Sequence, residues 1–278
     1  TSWLTLMGNR LEKAKKLISK KGSLFLHLDY NADYFGRILL NQIFGKENFR
    51  NTIAWKRGRG VIHTISEQFS RLHDVILFYS NSDDLFFKQY FYPYAESTLK
   101  LYRYKDEKGN YRLQELRDYS DINIDKFKKE KRIERINGKM YLKQYLSDKE
   151  GVAIDDIWVD IGSVSYEHRK EKAGFYTQKP EKLIERIINS VSEKGDLILD
   201  FFLGSGTTAA VAHKLGRKWL GVEMGEHFYS VVLPRMKKVL AYDKSGISKD
   251  VKEYQGGGFF KYYELEQYED TLRKVKYE

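Results

Sequence analysis

The sequence predicts an α/β protein, a layered and doubly wound sheet interrupted by a mixed insert, and three observations predict it. Apolar strand-like runs alternate with amphipathic helical segments over residues 3–80 and again over 177–240, the pattern of a sheet covered by helices. Residues 81–172 between them lose that periodicity and become rich in tyrosine and clustered charge. The length of 278 residues, with 41% hydrophobic and 15% aromatic side chains, suits one large domain or two modest ones and excludes disorder as the main description.

Residues 3–18 place Trp3, Leu4, Met7, Leu11, Ala14, Leu17 and Ile18 at helical spacing, with Arg10, Glu12, Lys13 and Lys16 between them. Lys20-Lys21-Gly22 closes this helix with cations in its last turn and a glycine cap. Leu24-Phe25-Leu26-His27-Leu28 is nearly continuous in apolar residues, as a strand buried on both faces would be. A helix over 32–44 stops at Gly45. Strands over 51–56 and 74–80 follow, separated by a basic loop containing Arg57-Gly58-Arg59-Gly60. In the insert, the run Lys126-Phe127-Lys128-Lys129-Glu130-Lys131-Arg132 reads first as a solvated helix face. The interleaved Tyr, Lys and Arg also suit a surface that meets phosphates and base edges.

From Thr177 the α/β pattern resumes. Pro180 opens a helix carrying Leu183, Ile184, Ile187, Ile188 and Val191 on one face and ending at Gly195. Leu197-Ile198-Leu199-Asp200 reads as a buried strand, Gly204-Ser205-Gly206 as its turn, and 207–215 as a helix capped by Gly216. Trp219-Leu220-Gly221-Val222-Glu223 is the next strand and 228–240 a further helix. Gly256-Gly257-Gly258 reads as a hinge before the patch Phe259-Phe260-Lys261-Tyr262-Tyr263.

Lys and Arg number 49 against 39 Asp and Glu, a net charge of +10, which favours a polyanionic partner because each cation set against a phosphate releases counterions. The absence of cysteine excludes disulfides, a thiolate metal site and a cysteine nucleophile. No metal centre is expected. No apolar stretch approaches the ~18–20 residues of a membrane span and no leader pattern opens the chain, so the expected location is cytoplasmic.

The chemistry concentrates between strand and helix, in Asp200-Phe201-Phe202-Leu203-Gly204-Ser205-Gly206-Thr207-Thr208-Ala209. Glycines there let the backbone turn tightly and let a ligand approach the main chain. Glu223 follows Gly204 by 19 residues, the spacing of a carboxylate that accepts ribose hydroxyls, so a nucleoside-containing cofactor is indicated. Gly204-x-Gly206-x-x-Ala209 also satisfies a relaxed dinucleotide fingerprint, which leaves an NAD-dependent dehydrogenase as an alternative.

Together with Gly174-Phe175-Tyr176-Thr177-Gln178-Lys179-Pro180 and Glu223, this segment resembles the amino-methylating DNA methyltransferases in their β arrangement, which includes the modification subunits of type III restriction systems. The likeness covers almost the whole chain, including residues 3–10, 23–30, 42–57, 69–80, 151–160 and 255–268. Phe201 and Tyr176 stand where that family usually has proline. The resemblance implies a Rossmann-like, mostly parallel sheet binding S-adenosylmethionine across its carboxyl ends. Phe202, Gly204 and Gly206 would wrap the methionine and ribose, and Glu223 would hold the ribose hydroxyls. Asp200, Ser205, Thr207 and Thr208 complete that segment of the pocket. Thr177, Gln178, Lys179 and Pro180 would flank the methionine, Lys179 offering a cation to its carboxylate.

The implied divisions are a catalytic half over 1–84, a target-recognition insert over 85–172, a cofactor half over 173–240 and an extension over 241–278. Arg57 and Arg59 would contact the DNA backbone, and Tyr30, beside Asp29, would face the base. The implied partners are double-stranded DNA, a second copy of the chain, and a restriction subunit or a chain supplying a missing motif. That motif is the family's Asp-Pro-Pro-Tyr. The only prolines are Pro93, Pro180 and Pro234, and Phe91-Tyr92-Pro93-Tyr94 lacks the polar residue. The expectation is that the motif lies upstream of Thr1, so no catalytic residue is named and this chain alone should transfer little methyl. Adenine N6 is the implied target within a restriction–modification system. Cytosine N4, or a catalytically incomplete chain that binds cofactor and DNA, are the alternatives.

Overall fold

The computed structural model describes residues 3–58, 67, 69–116, 119–165, 168–265 and 273. They form two compact units, one of Thr1–Phe86 with Ile157–Glu278 and one of Phe87–Asp156.

The first unit opens with α1 (Trp3–Leu17), β1 (Ser23–Leu28), α2 (Asp33–Phe44), β2 (Phe49–Lys56) and β3 (His73–Ser80). The helical spacing read from residues 3–18 has its cause in packing. Met7, Leu11 and Ala14 of α1, with Leu40 and Phe44 of α2, enclose Leu24, Leu26, Val75, Leu77 and Tyr79 of the sheet in one core. Each Leu, Val, Met or Phe among them removed from water contributes roughly 1.5–3 kcal/mol. Every residue of β3 after His73 is buried, because β3 is the central strand, antiparallel to β1 on one side and β2 on the other. Its reversal makes β1 and β2 run the same way. The register sets Leu28 opposite Val75 and Trp55 opposite Asp74, so the carboxyl ends of β1 and β2 share one sheet edge.

The second unit contains β4 (Phe91–Tyr92), α3 (Glu96–Leu99), β5 (Tyr104–Asp106), β6 (Gly109–Glu115), α4 (Asp121–Lys129), β7 (Ile133–Ile136), β8 (Lys139–Tyr145) and β9 (Val152–Ala153). β5, β6, β8 and β7 form an antiparallel sheet in that order. β4 and β9 pair antiparallel near the two ends of the unit, Phe91 opposite Ala153 and Tyr92 opposite Val152. α4 buries no residue, so its lysines form a solvated face.

The chain re-enters the first unit at β10 (Ile157–Trp158), which lies parallel to β2 with Trp158 opposite Trp55. Residues 157–165 therefore belong with the sheet rather than with the insert bounded at 172 by sequence. The ladder to β2 and the indole N–H of Trp55, which donates to the Ile161 carbonyl at 2.7 Å, draw them there. Then come α5 (Glu181–Val191), β11 (Leu197–Asp200), α6 (Thr207–Lys214), β12 (Lys218–Gly221) and α7 (Leu233–Leu240). β11 and β12 are parallel. This alternation of strands and helices is the predicted α/β class.

Four details differ from the sequence reading. β1 is not buried on both faces: it is an edge strand of its sheet, and of its residues only Leu24 and Leu26 are buried. β11 is not buried on both faces either: Leu197 is 64% exposed, and on β12 Leu220 is 51% exposed, because the pair forms a two-stranded sheet that packs Ile198 and Trp219 against the helices. The segment 228–240 is not one α-helix; Phe228–Val232 is a π-helical turn, and α7 follows with Pro234, which lacks an amide hydrogen, in its first turn. Gly256 to Gly258 make a packed turn rather than a hinge. All three have positive φ, the Gly257 N–H donates to the Leu240 carbonyl at 2.7 Å, and a Cβ on Gly256 would lie 2.6 Å from the Tyr242 nitrogen. No helix among the described residues is long and apolar enough to cross a membrane.

Candidate cofactor and DNA site

β11 ends at Asp200, whose Oδ1 accepts the Phe202 N–H at 3.0 Å and bends the chain out of the strand. The ladder to the neighbouring strand persists briefly, Val222 N–H to Asp200 carbonyl at 2.9 Å and Leu203 N–H to Val222 carbonyl at 3.1 Å. Gly204 and Gly206 then adopt φ of +53° and +75°, a left-handed region costly for any side chain-bearing residue, and α6 begins at once. Ser205 and Thr207 are buried, with their hydroxyls 3.0 Å apart; Thr208 is half-buried and the Phe202 ring is exposed, with the Arg10 guanidinium 5.9 Å from its centre.

The strand ends at Gly221, so Glu223 sits two residues beyond it, in the following turn. Its Oε2 accepts the Gly204 N–H at 2.7 Å, and its Oε1 accepts the N–H groups of Met224 and Gly225 at 2.9 Å each. Burial pushes the Glu223 carboxyl up, but these amide donors and the neighbouring His227 outweigh it and hold the group below its ordinary value. Glu223 is therefore an anion tied to the glycine turn. A carboxylate has about four lone-pair positions, so three amide donors leave acceptor capacity for a hydroxyl. Phe175 walls the same place: a Cβ on Gly204 would meet its Cε1 at 3.4 Å, and its ring lies 4.7 Å from that of His227. A bare main chain, an ionised acceptor and an aromatic wall together fit a nucleoside.

The segment 177–180 meets this turn directly, since the Thr207 hydroxyl donates to the Lys179 carbonyl at 3.2 Å. Thr177 is exposed and Pro180 is buried at the start of α5. Gln178 has its side-chain amide engaged within the loop, accepting from Ala173 N–H at 2.8 Å and donating to the Glu171 carbonyl at 2.7 Å. That amide shapes the approach to Lys179. The Lys179 ammonium is half-buried and donates to the Thr177 carbonyl at 3.1 Å. Burial, with the nearby Arg57, lowers its pKa against the pull of Asp74.

Lys179 thereby joins a charged group at the carboxyl ends of β1 and β2. His27 Nε2 lies 2.9 Å from Asp74 Oδ2, and Arg57 Nε lies 3.1 Å from Asp74 Oδ1. Burial lowers the His27 pKa despite its bond to Asp74. Burial alone would raise Asp74, but His27, Arg57 and Lys179 leave it lowered. Tyr30 follows β1 at the same edge, exposed, with the Arg71 guanidinium 4.2 Å over its ring. Arg59 lies outside the described residues. The structure thus gathers Asp200, Gly204, Ser205, Gly206, Thr207 and Glu223 into one elbow, and Lys179, Arg57 and Tyr30 along the adjoining edge. Asp74, His27 and His227 were not singled out by sequence, and Phe175 was noted only as part of the segment 174–180. Glu223 and His227 come within 3.4 Å across a non-helical stretch that precedes the turn at Phe228, so no helical period marked the pair.

Parallel strands ending in a glycine elbow clasped by an acid define a Rossmann-like methyltransferase fold. The chain belongs to the N6/N4 DNA methylase family, matched over residues 1–233. It is 27% identical to the probable type III restriction-modification enzyme HindVI Mod subunit of Haemophilus influenzae, over 99% of this chain and 49% of that protein. A 96-residue stretch is 38% identical to the DNA adenine methyltransferase YhdJ of Escherichia coli, covering 34% of this chain and 32% of YhdJ. The fold is shared with M1.HpyAVI, solved in complex with S-adenosylmethionine, at a TM-score of 0.51 and 16% identity over 84% of this chain and 82% of that one. The chain spans about half the length of HindVI Mod. S-adenosylmethionine is the cofactor of the family, and the dehydrogenase alternative is not favoured.

Proposed function

We propose that this chain carries the cofactor pocket and the DNA-contacting surface of a site-specific DNA methyltransferase that modifies adenine N6 within a restriction–modification system. The observation that carries the reading is the clasp of Glu223 on Gly204 at the ends of two parallel strands. When bound, S-adenosylmethionine supplies an electrophilic methyl group on its sulfonium. The residues of this chain bind and orient. Glu223 accepts from the ribose hydroxyls, Gly204 and Gly206 leave room for the nucleoside against the backbone, Phe202 and Phe175 flank it, and Lys179 balances the methionine carboxylate. Thr177, Pro180 and the backbone of Gln178 border the methionine end, while Asp200, Ser205, Thr207 and Thr208 hold the turn.

Double-stranded DNA is the proposed substrate. Arg57 and Tyr30 at the edge of β1 and β2 serve as its contacts, with Arg59 of the same basic sequence run, and the insert reads base edges. The acceptor base is turned out of the duplex, and positioning supplies much of the rate. Adenine is supported by the name of YhdJ, and cytosine N4 is the alternative. A restriction subunit is the proposed partner, supported by the name of HindVI Mod. The family's amine-polarising Asp-Pro-Pro-Tyr is not in this sequence, and no residue is assigned that role. The test is calorimetry with S-adenosylmethionine, followed by nucleoside analysis of DNA incubated with radiolabelled cofactor. Binding, with any label found in N6-methyladenine, is expected. Label in N4-methylcytosine overturns the base assignment, and absence of binding overturns the pocket.

A further inference from the structure

Beneath the glycine turn lies a buried ionic cluster built from distant parts of the chain. Glu181, at the start of α5, has no exposed surface. Its carboxylate accepts from Lys214 Nζ at 3.1 and 2.9 Å, from the Ile247 N–H at 3.1 Å and from Arg235 Nη2 at 3.0 Å. Lys214 also reaches Asp243 Oδ2 and the Ser245 carbonyl, each at 3.0 Å. Two cations thus face two carboxylates, and Glu181 keeps a full partner in Lys214 whatever Arg235 does.

Arg235 differs from the others in where its second arm goes. The side chain, 8% exposed, sends Nη1 to the Thr207 hydroxyl at 2.8 Å and toward the Ser205 carbonyl at 3.4 Å. A guanidinium only donates. The Thr207 oxygen must therefore accept from Arg235 and turn its own hydrogen elsewhere, to the Lys179 carbonyl at 3.2 Å or to the Ser205 hydroxyl at 3.0 Å. The order of bonds runs from Glu181 through Arg235 and Thr207 to Lys179.

We propose that Arg235 is the positioning residue of the cofactor pocket, its two-armed guanidinium holding the glycine turn in register with the segment 177–180. The inference rests on the reading that these two segments bind S-adenosylmethionine. Helices α5 and α6 pack together and bring the two segments side by side, but the named bond between the segments themselves is the one from the Thr207 hydroxyl to the Lys179 carbonyl, and Arg235 sets the direction of that hydroxyl's hydrogen. Lysine at the same place keeps a charge beside Glu181 but replaces the planar two-armed fork by a single point donor, which no longer holds Glu181 and Thr207 at the separation the guanidinium sets.

The experiment compares the full chain with Arg235→Lys, Thr207→Val and the double variant, by melting temperature and by calorimetry with S-adenosylmethionine well below the transition. Arg235→Lys is expected to fold with a melting temperature within a few degrees of the parent and to bind the cofactor about tenfold more weakly, the scale of one charge-assisted hydrogen bond. Thr207→Val should show a similar loss, and the double variant little more than either alone. Parental affinity in Arg235→Lys, losses that add in full, or an Arg235→Lys chain that does not fold each overturn the assignment. A parent chain that binds no cofactor overturns the pocket itself, and with it this role.

Discussion

Replacing Glu223 by alanine tests the pocket at its most connected atom. The carboxylate holds the Gly204 N–H at 2.7 Å and the Met224 and Gly225 N–H groups at 2.9 Å, with its side chain only 13% exposed. Hydrogen bonds to a charged acceptor contribute about 1.5–3 kcal/mol each, and three on one carboxylate are not additive. The Gly204 bond is the one that bridges two strand ends, so its loss relaxes the turn by roughly 1.5 kcal/mol, and the lost acceptors for the ribose remove about as much again. The sum, about 3 kcal/mol, corresponds to roughly a hundredfold weaker S-adenosylmethionine binding. Glu223→Gln keeps one carbonyl acceptor without the charge and should lose about tenfold. Isothermal calorimetry at pH 7 reads both, with a thermal melt confirming that each variant is folded. Because the amide donors and His227 hold the Glu223 carboxyl below its ordinary range, the parent affinity should also stay flat from about pH 7 to pH 5.5. A folded Glu223→Ala chain whose affinity lies within threefold of the parent would refute the reasoning.

Gly206→Ala should destabilise the chain by about 1–2 kcal/mol in urea titration, since it forces a Cβ into a φ of +75° and to 3.1 Å from Val232 Cγ1; an unchanged midpoint would show that the turn relaxes freely. Burial holds the His27 imidazole below the ordinary histidine value of about 6.5, so below that pH the unfolded chain binds a proton the folded chain resists. Stability should therefore fall as pH drops through the window beneath 6.5, and His27→Gln should flatten that part of the profile. DNA affinity should fall steeply with salt, and Arg57→Ala should reduce the logarithmic slope by about one, as expected for one lost phosphate contact; an unchanged slope would remove Arg57 from the interface.

Much of the pocket is legible in the sequence because its conformations admit few residues. Gly204 and Gly206 stand at positive φ, and an acid 19 residues later completes the pattern without any tertiary knowledge. The core face of α1 was legible from spacing, and Met7, Leu11 and Ala14 of that pattern are the residues it buries. Strand direction was not: the apolar run of β3 reads the same whether it lies along its neighbours or against them, and only pairing decides. Nor could sequence show that Leu197 is exposed, since an isolated two-stranded pair and a central strand share one pattern. The π-helical turn over Phe228–Val232 has no period of its own to read. Arg235 and Glu181 are 54 residues apart, and a pair of opposite charges at that separation carries no signal until the chain folds. Gln178 was legible as part of a segment, but the engagement of its amide within the loop depends on Glu171 and Ala173 folding back upon it.

The second unit begins and ends with its own zipper. Phe91 and Tyr92 pair with Ala153 and Val152, the Ile154 N–H donates to the Tyr90 carbonyl at 2.9 Å, and Gln89 reaches the Ile154 carbonyl at 3.1 Å. Its two chain ends are thereby brought side by side by bonds that belong to the unit itself. A module fastened in this way can be exchanged, lengthened or replaced by recombination at neighbouring points without re-threading its host. Natural variants of this chain are accordingly expected to diverge most, and to tolerate wholesale cassette swaps, between residues 87 and 156, while the glycine elbow evolves slowly.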